Sequence, residues 1–363
     1  MDKRFGVCGM VLAFALVAPV AYAQIADAVP SVAPDTSDVR DLDTVVVTGV
    51  QPGPGLWRAR RADGHTLYIL GTQSPLPAGM TWKADEVREV LARAGAVLGP
   101  PGVQMGADIG FFGKLTLAPS AFRAMRNPDG ATLDELLPPD LYQRWASLKQ
   151  RYVGRDRGME RKRPFIAVYQ LYRAALEKNG LAEGGIVGPV IQDALKARGM
   201  EVTPTVVSIK VDDPRGALRT FRQERLKPED LDCVRGTLDI IERDLPRVAS
   251  RANAWAVGDI DALRASDDAQ AQVMTCLSAW TASDTARTLG LLDIQSQVGS
   301  TWLAAVDKAV AAHETVFASV SIDTLLKPDG YLARLRERGY TVIAPDEADT
   351  IEDAPDASGV PTP

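Results

Sequence analysis

The chain has 363 residues, of which 46% are hydrophobic, and carries 41 Lys and Arg against 47 Asp and Glu for a formal net charge of −6. That length and apolar content are enough to bury a large core. The mild acidity argues against general nucleic-acid binding.

The first element is a leader. Lys3 and Arg4 precede an apolar run from Val11 to Val20, and Ala21-Tyr22-Ala23 forms an A-x-A cleavage site before Gln24. This pattern predicts a secretory signal peptide over 1–23. No later stretch approaches the ~20 apolar residues of a spanning helix, so the exported chain is expected not to span a membrane. Residues 24–42 are polar, Pro-containing and non-periodic, and read as a disordered leader; 346–363 read as a disordered acidic tail. The stretch between, 43–345, is expected to form a single α/β domain.

Within it, patterning predicts strands at 44–48, 56–61, 66–70, 96–98, 203–208, 315–320 and 340–343. Helical periodicity covers 83–95, 132–151, 164–178, 186–199, 214–225, 228–256, 259–265, 284–312 and 328–338. Ala62-Asp63-Gly64 between two apolar runs is a hairpin signal. Thr132 followed by Glu135 reads as a capping box, and Gly199 and Gly339 after basic last turns read as helix stops. With strands near both ends, the expected fold class is α/β: a mixed β-sheet flanked by many helices, with a long helical middle section.

Cys8 leaves with the signal, so Cys233 and Cys276 remain. In an oxidising compartment two cysteines usually pair, and there is no C-x-x-C redox motif. An unstrained bridge closing this loop is worth about 4 kcal/mol on the chain-entropy estimate. The alternative is two buried free thiols.

Several segments together resemble one family. Leu67-Tyr68-Ile69-Leu70 runs into Gly71-Thr72, then Pro75-Leu76-Pro77 and Trp82. Ala254-Trp255-Ala256-Val257-Gly258-Asp259 is similar to a Trp-x-x-Gly-Asp segment, and Leu325, Gly330, Leu335, Gly339, Tyr340 and Val342 keep the frame of a closing unit. These resemble the TraB/GumN family, which includes the Tiki-type proteases. The resemblance implies a divalent metal held by two strand-end histidines and an early glutamate. Here Ser74 and Thr324 stand at the histidine positions and Gly99-Pro100-Pro101 at the glutamate; Val298 and Gly299 replace an Arg-Asn pair ahead of Trp302. Hydroxyls are poor substitutes for imidazole and carboxylate ligands, so no metal site and no cofactor are expected. The strand ends still predict a polar cleft of Gln73, Ser74, Asp323 and Thr324.

Other chemistry finds little support. His65 in a turn and His313 near a helix end are the two histidines, and no Gly-x-Ser-x-Gly elbow marks a serine nucleophile. The pairs Asp134-Glu135, Asp212-Asp213 and Asp267-Asp268 read as helix caps. Arg151, Arg155, Arg157, Arg161, Lys162 and Arg163 form a basic run that fits either a solvated loop or an anionic partner. Asp43 to Gly49 resembles the plug-proximal segment of TonB-dependent receptors, which implies TonB-type engagement; the alternative is the first strand of the protein's own sheet.

The sequence therefore predicts an exported protein in the periplasm of a Gram-negative bacterium. It is expected to be a non-catalytic binding or accessory factor of the cell envelope, with an unknown polar ligand or envelope protein as partner. The alternative is a hydrolase or peptidase with a rebuilt site around Ser74 and Thr324.

Overall fold

The computed structural model describes residues 50–347 except 184, 266–275, 277–282, 290 and 292. The signal peptide, the leader, Asp43–Gly49 with its expected strand, Asp267-Asp268 and the tail beyond 347 lie outside the described residues. The strands are β1 (Val50–Gln51), β2 (Leu56–Arg60), β3 (Thr66–Thr72), β4 (Leu76–Pro77), β5 (Thr81–Trp82), β6 (Ala96–Leu98), β7 (Gly102–Gly106), β8 (Leu181–Ala182), β9 (Val206–Lys210), β10 (Thr315–Ser321) and β11 (Thr341–Ile343).

Five strands form the main sheet in the order β11-β2-β3-β10-β6. β2 and β3 are an antiparallel hairpin, as Ala62-Asp63-Gly64 predicts, and β10 lies parallel to both β3 and β6. In β10 every residue from Val316 to Val320 is buried. That fits a parallel strand covered on both faces, whose side chains read as a near-continuous apolar run interrupted by Ser319. β11 closes the far edge antiparallel to β2. The sheet and the surrounding helices share one hydrophobic core from Leu56 to Ala344, anchored by the fully buried Trp57, Trp145, Trp255, Trp302 and Phe317. The architecture is mixed α/β, as expected.

The helices depart from the sequence pattern where backbone chemistry intervenes. The span 132–151 is two helices, Leu133–Leu136 and Pro139–Tyr152, because Pro138-Pro139 removes two amide donors. Thr132 N donates to Glu135 Oε2 at 2.9 Å, the expected cap. The span 228–256 divides into Pro228–Asp239, a π-turn Ile240–Asp244 and Leu245–Val257. Pro246 supplies no N–H there, and the wider turn takes up the missing bond. The span 284–312 divides into Asp284–Thr288 and Ile294–Ala312, and 328–338 shortens to Tyr331–Glu337 behind Pro328 and Gly330. The strand expected at 203–208 sits at Val206–Lys210, paired parallel with β7, a strand that Pro100-Pro101-Gly102 concealed. The helix Phe111–Ala124 had no sequence signal: Gly113 and Pro119 interrupt it and its apolar residues follow no core-facing period.

Cys233 and Cys276 are bonded, with S–S 2.02 Å and Cα–Cα 4.4 Å. The bridge ties the helix Pro228–Asp239 to a position 43 residues on. Reduction is expected to lower stability by about 2–4 kcal/mol through the freed unfolded chain, read as a shift in urea midpoint with and without dithiothreitol. An unchanged midpoint would mean that the bridge does not constrain the unfolded state.

Candidate functional site

β3 and β10 pair in register from Thr66↔Thr315 to Thr72↔Ser321, so the two strands end side by side. The chain then leaves β3 through Gln73-Ser74-Pro75 and leaves β10 into the short helix Ile322–Leu326. Arg251, from the helix Leu245–Val257, is inserted between these exits and is only 6% exposed. Its Nε donates to Gln73 Oε1 at 3.3 Å and its Nη1 to the Leu263 carbonyl at 2.9 Å. Its Nη2 forms an ion pair with the Asp323 carboxylate. Ser321 Oγ lies 3.5 Å from the other Asp323 oxygen. Burial pushes the Asp323 carboxyl above its ordinary range; the positive charges of Arg251 and Lys327 and the hydrogen bonds from Ser321 and Arg251 pull it back only in part.

Local sequence explains how the guanidinium arrives. Arg251 and Trp255 are four residues apart and so share a helix face. Trp255 is fully buried and its Nε1 donates to the Gly71 carbonyl at 2.7 Å, which seats that face on the end of β3. Glycine at 71 also admits neighbours on the other side: a Cβ there would lie 2.6 Å from Ile322 Cδ1 and 3.0 Å from the Trp57 ring. The helix stops at Gly258 in the left-handed region, φ 78°, and Asp259 Oδ1 accepts from Ala262 N at 2.9 Å to start the next helix. This is the Gly-Asp punctuation visible in the sequence.

Of the four residues predicted to share a cleft, Gln73 and Asp323 are brought together, both on Arg251. Ser74 is exposed, and Thr324 is buried within the short helix. Arg251 is the member that the sequence reading missed. Its one signal was a cation on an Ala-rich helix, four residues before a tryptophan.

A divalent ion does not fit this donor set. Asp323 is engaged by a guanidinium, Ser74 and Thr324 offer neutral hydroxyls, and Gly99 offers no side chain. A Cβ at Gly99 would already sit 3.2 Å from Val202 Cγ1, because Thr203 and Thr205 bond the backbone of that turn. Among the described residues, no group of three or more His, Cys, Asp and Glu converges as a metal site.

The histidines lie elsewhere. His65 is half-buried before β3, with Nδ1 2.6 Å from the Val310 carbonyl, and His313 is exposed before β10, its ring over Gly95. Both are at the opposite end of the sheet from Ser74, more than about 20 Å away by strand rise. The basic run is also divided. Arg155, Arg157 and Arg161 line an open cleft of about 530 Å³ with Asp134 and Glu160. Arg163 is not at the surface. It is 7% exposed and donates to the carbonyls of Ala124, Glu224 and Phe221. Burial pulls its pKa below the ordinary arginine value, against the charges of Glu224 and Asp230.

No helix among the described residues is long and apolar enough to cross a membrane. Comparison with curated proteins and with solved structures returns no significant match. A family model does match, over residues 55–344, the stretch that holds β2 to β11, the buried arginine and both strand exits. The chain belongs to the TraB/PrgY/gumN family.

Proposed function

We propose that the protein is an exported, periplasmic member of its family that acts in the cell envelope as a non-catalytic binding or accessory factor. The observation that carries this reading is the Arg251 guanidinium among Gln73, Asp323 and the Leu263 carbonyl. A fixed positive charge bonded to oxygen acceptors disfavours a second cation in the same place. It also engages the one carboxylate at the strand ends. What is left exposed there is hydrogen-bonding surface, including Ser74, suited to holding a polar partner without turning it over.

The test is metal content and affinity of the chain from Gln24 onward, oxidised, stripped with chelator and then offered zinc, manganese and cobalt. Less than about 0.1 ion per chain at micromolar metal is the expected result. One tightly held ion per chain would overturn the reading and bring forward a hydrolase or peptidase with a site rebuilt around Ser74 and Thr324.

A further inference from the structure

The helix Phe111–Ala124 holds large apolar side chains in solvent. Phe111, Phe112, Leu115 and Phe122 are 68%, 79%, 61% and 69% exposed. At 3.6 residues per turn, Phe111, Leu115 and Phe122 fall on one line along the helix with Phe112 beside it. The other side of the helix, through Leu117 and Ala124, is buried. A contiguous apolar patch of this kind on a protein surface marks an interaction site.

Charge identifies what it meets. The helix Pro214–Gln223 packs alongside, with Arg215 Nη2 donating to Thr116 Oγ1 at 3.4 Å. Arg215, Arg219 and Arg222 recur on one face of that helix and are exposed, and Lys114 and Arg123 border the apolar line on its two sides. Neither helix contains Asp or Glu. The nearby acids flank the helices: Asp212 and Asp213 precede Pro214, with Asp213 capping that helix, Glu224 follows it and accepts from Thr285 N and Oγ1, and Asp108 lies 3.7 Å from Lys210. In a chain of net charge −6 this is a local reversal of sign. The buried Arg163 joins the two helices at their C-terminal ends through the Ala124 and Phe221 carbonyls, so the surface is held rather than loose.

Exposed aromatic and leucine side chains bordered by Lys and Arg, with no acid among them, make up a surface that enters the headgroup–acyl boundary of a bilayer. The rings enter the apolar layer while the long cationic side chains reach the phosphates. A second copy docked patch to patch would set the same cations against each other. We infer that this two-helix surface seats the protein peripherally on an anionic lipid bilayer, an inference independent of the Arg251 site.

The experiment is flotation of the chain from Gln24 onward with vesicles of equal parts phosphatidylglycerol and phosphatidylcholine, against phosphatidylcholine alone. The protein should float with the anionic vesicles, at least tenfold more than with neutral ones, and release as salt is raised to screen the charges. F112S/F122S should lower that partitioning at least about tenfold, and R219A/R222A should remove the preference for phosphatidylglycerol. All four positions are exposed, and circular dichroism is the check that each variant is folded; L115S replaces F112S/F122S if it is not. Absence of flotation by the parent chain, or flotation unchanged in the apolar variant, overturns the proposal. So does a concentration-dependent dimer abolished by F112S/F122S, which would assign the patch to a second copy.

Discussion

Replacing Arg251 with methionine should lower the unfolding free energy by about 3–5 kcal/mol, the range for removing one partner of a buried ion pair. The loss has two origins: the Leu263 carbonyl and Gln73 Oε1 lose their donor, and Asp323 is left buried without its counter-ion. The second origin sets a pH signature. Burial already holds the Asp323 carboxyl above its ordinary range despite Arg251, and removing Arg251 raises it further. A carboxyl whose folded pKa exceeds its unfolded value binds more protons in the folded state, so stability falls as pH rises through that window. R251M should therefore lie closest to the parent near pH 4.5 and furthest from it near pH 7.5, in urea titrations at both. R251M/D323L, which removes both charges, should recover most of the loss and flatten the pH dependence, because an apolar pair avoids both desolvation penalties. A loss below about 1 kcal/mol at pH 7.5 would mean that the pair behaves as a surface contact, and the charge-based argument for the site would fail.

Trp255→Ala should be at least as damaging, at about 4–6 kcal/mol: a cavity from a fully buried indole plus one lost bond to a buried carbonyl. The bond distinguishes it from the other buried tryptophans. The indole N–H groups of Trp57, Trp145 and Trp302 have no partner among the described residues, whereas Trp255 Nε1 is bonded to Gly71. Trp255→Phe keeps most of the packing, including the neighbouring Trp82 at 5.7 Å between ring centroids, and should cost about 1–3 kcal/mol. Urea midpoints of the two variants separate the contributions. Equal losses would show that the hydrogen bond, not the volume, holds the helix to β3.

The sheet was legible in the sequence because its strands have strong local signals. Ala62-Asp63-Gly64 between two apolar runs marks β2 and β3, and the stretch Val316–Val320, apolar but for Ser319, marks β10. β7 was not, since Gly102–Gly106 becomes a strand only through β9, more than a hundred residues later. Phe111–Ala124 escaped for the opposite reason: pattern reading assumes that apolar faces point inward, and this helix turns four of them out. The strand exits and the loss of the expected ligand types could be read position by position. Arg251 could not, because nothing local says that an arginine amid alanines will meet a glutamine 178 residues before it and an aspartate 72 residues after it. Helix breaks at Pro138-Pro139 and Pro246 were written in the sequence but are outweighed by periodicity when a long window is scanned.

The placement of β10 also bears on how the molecule comes into being. The strand that joins β3 to β6 is among the last to emerge in synthesis, and its pairing Thr66↔Thr315 spans nearly the whole described chain. Folding slows as contacts become more distant along the sequence. A nascent chain ending before Thr315 has the β2–β3 hairpin but not the strand that unites the sheet, and the edges of β3 and β6 remain open. The sheet can be completed only once β10 and β11 have been made, which leaves a long interval in which the polypeptide remains threadable.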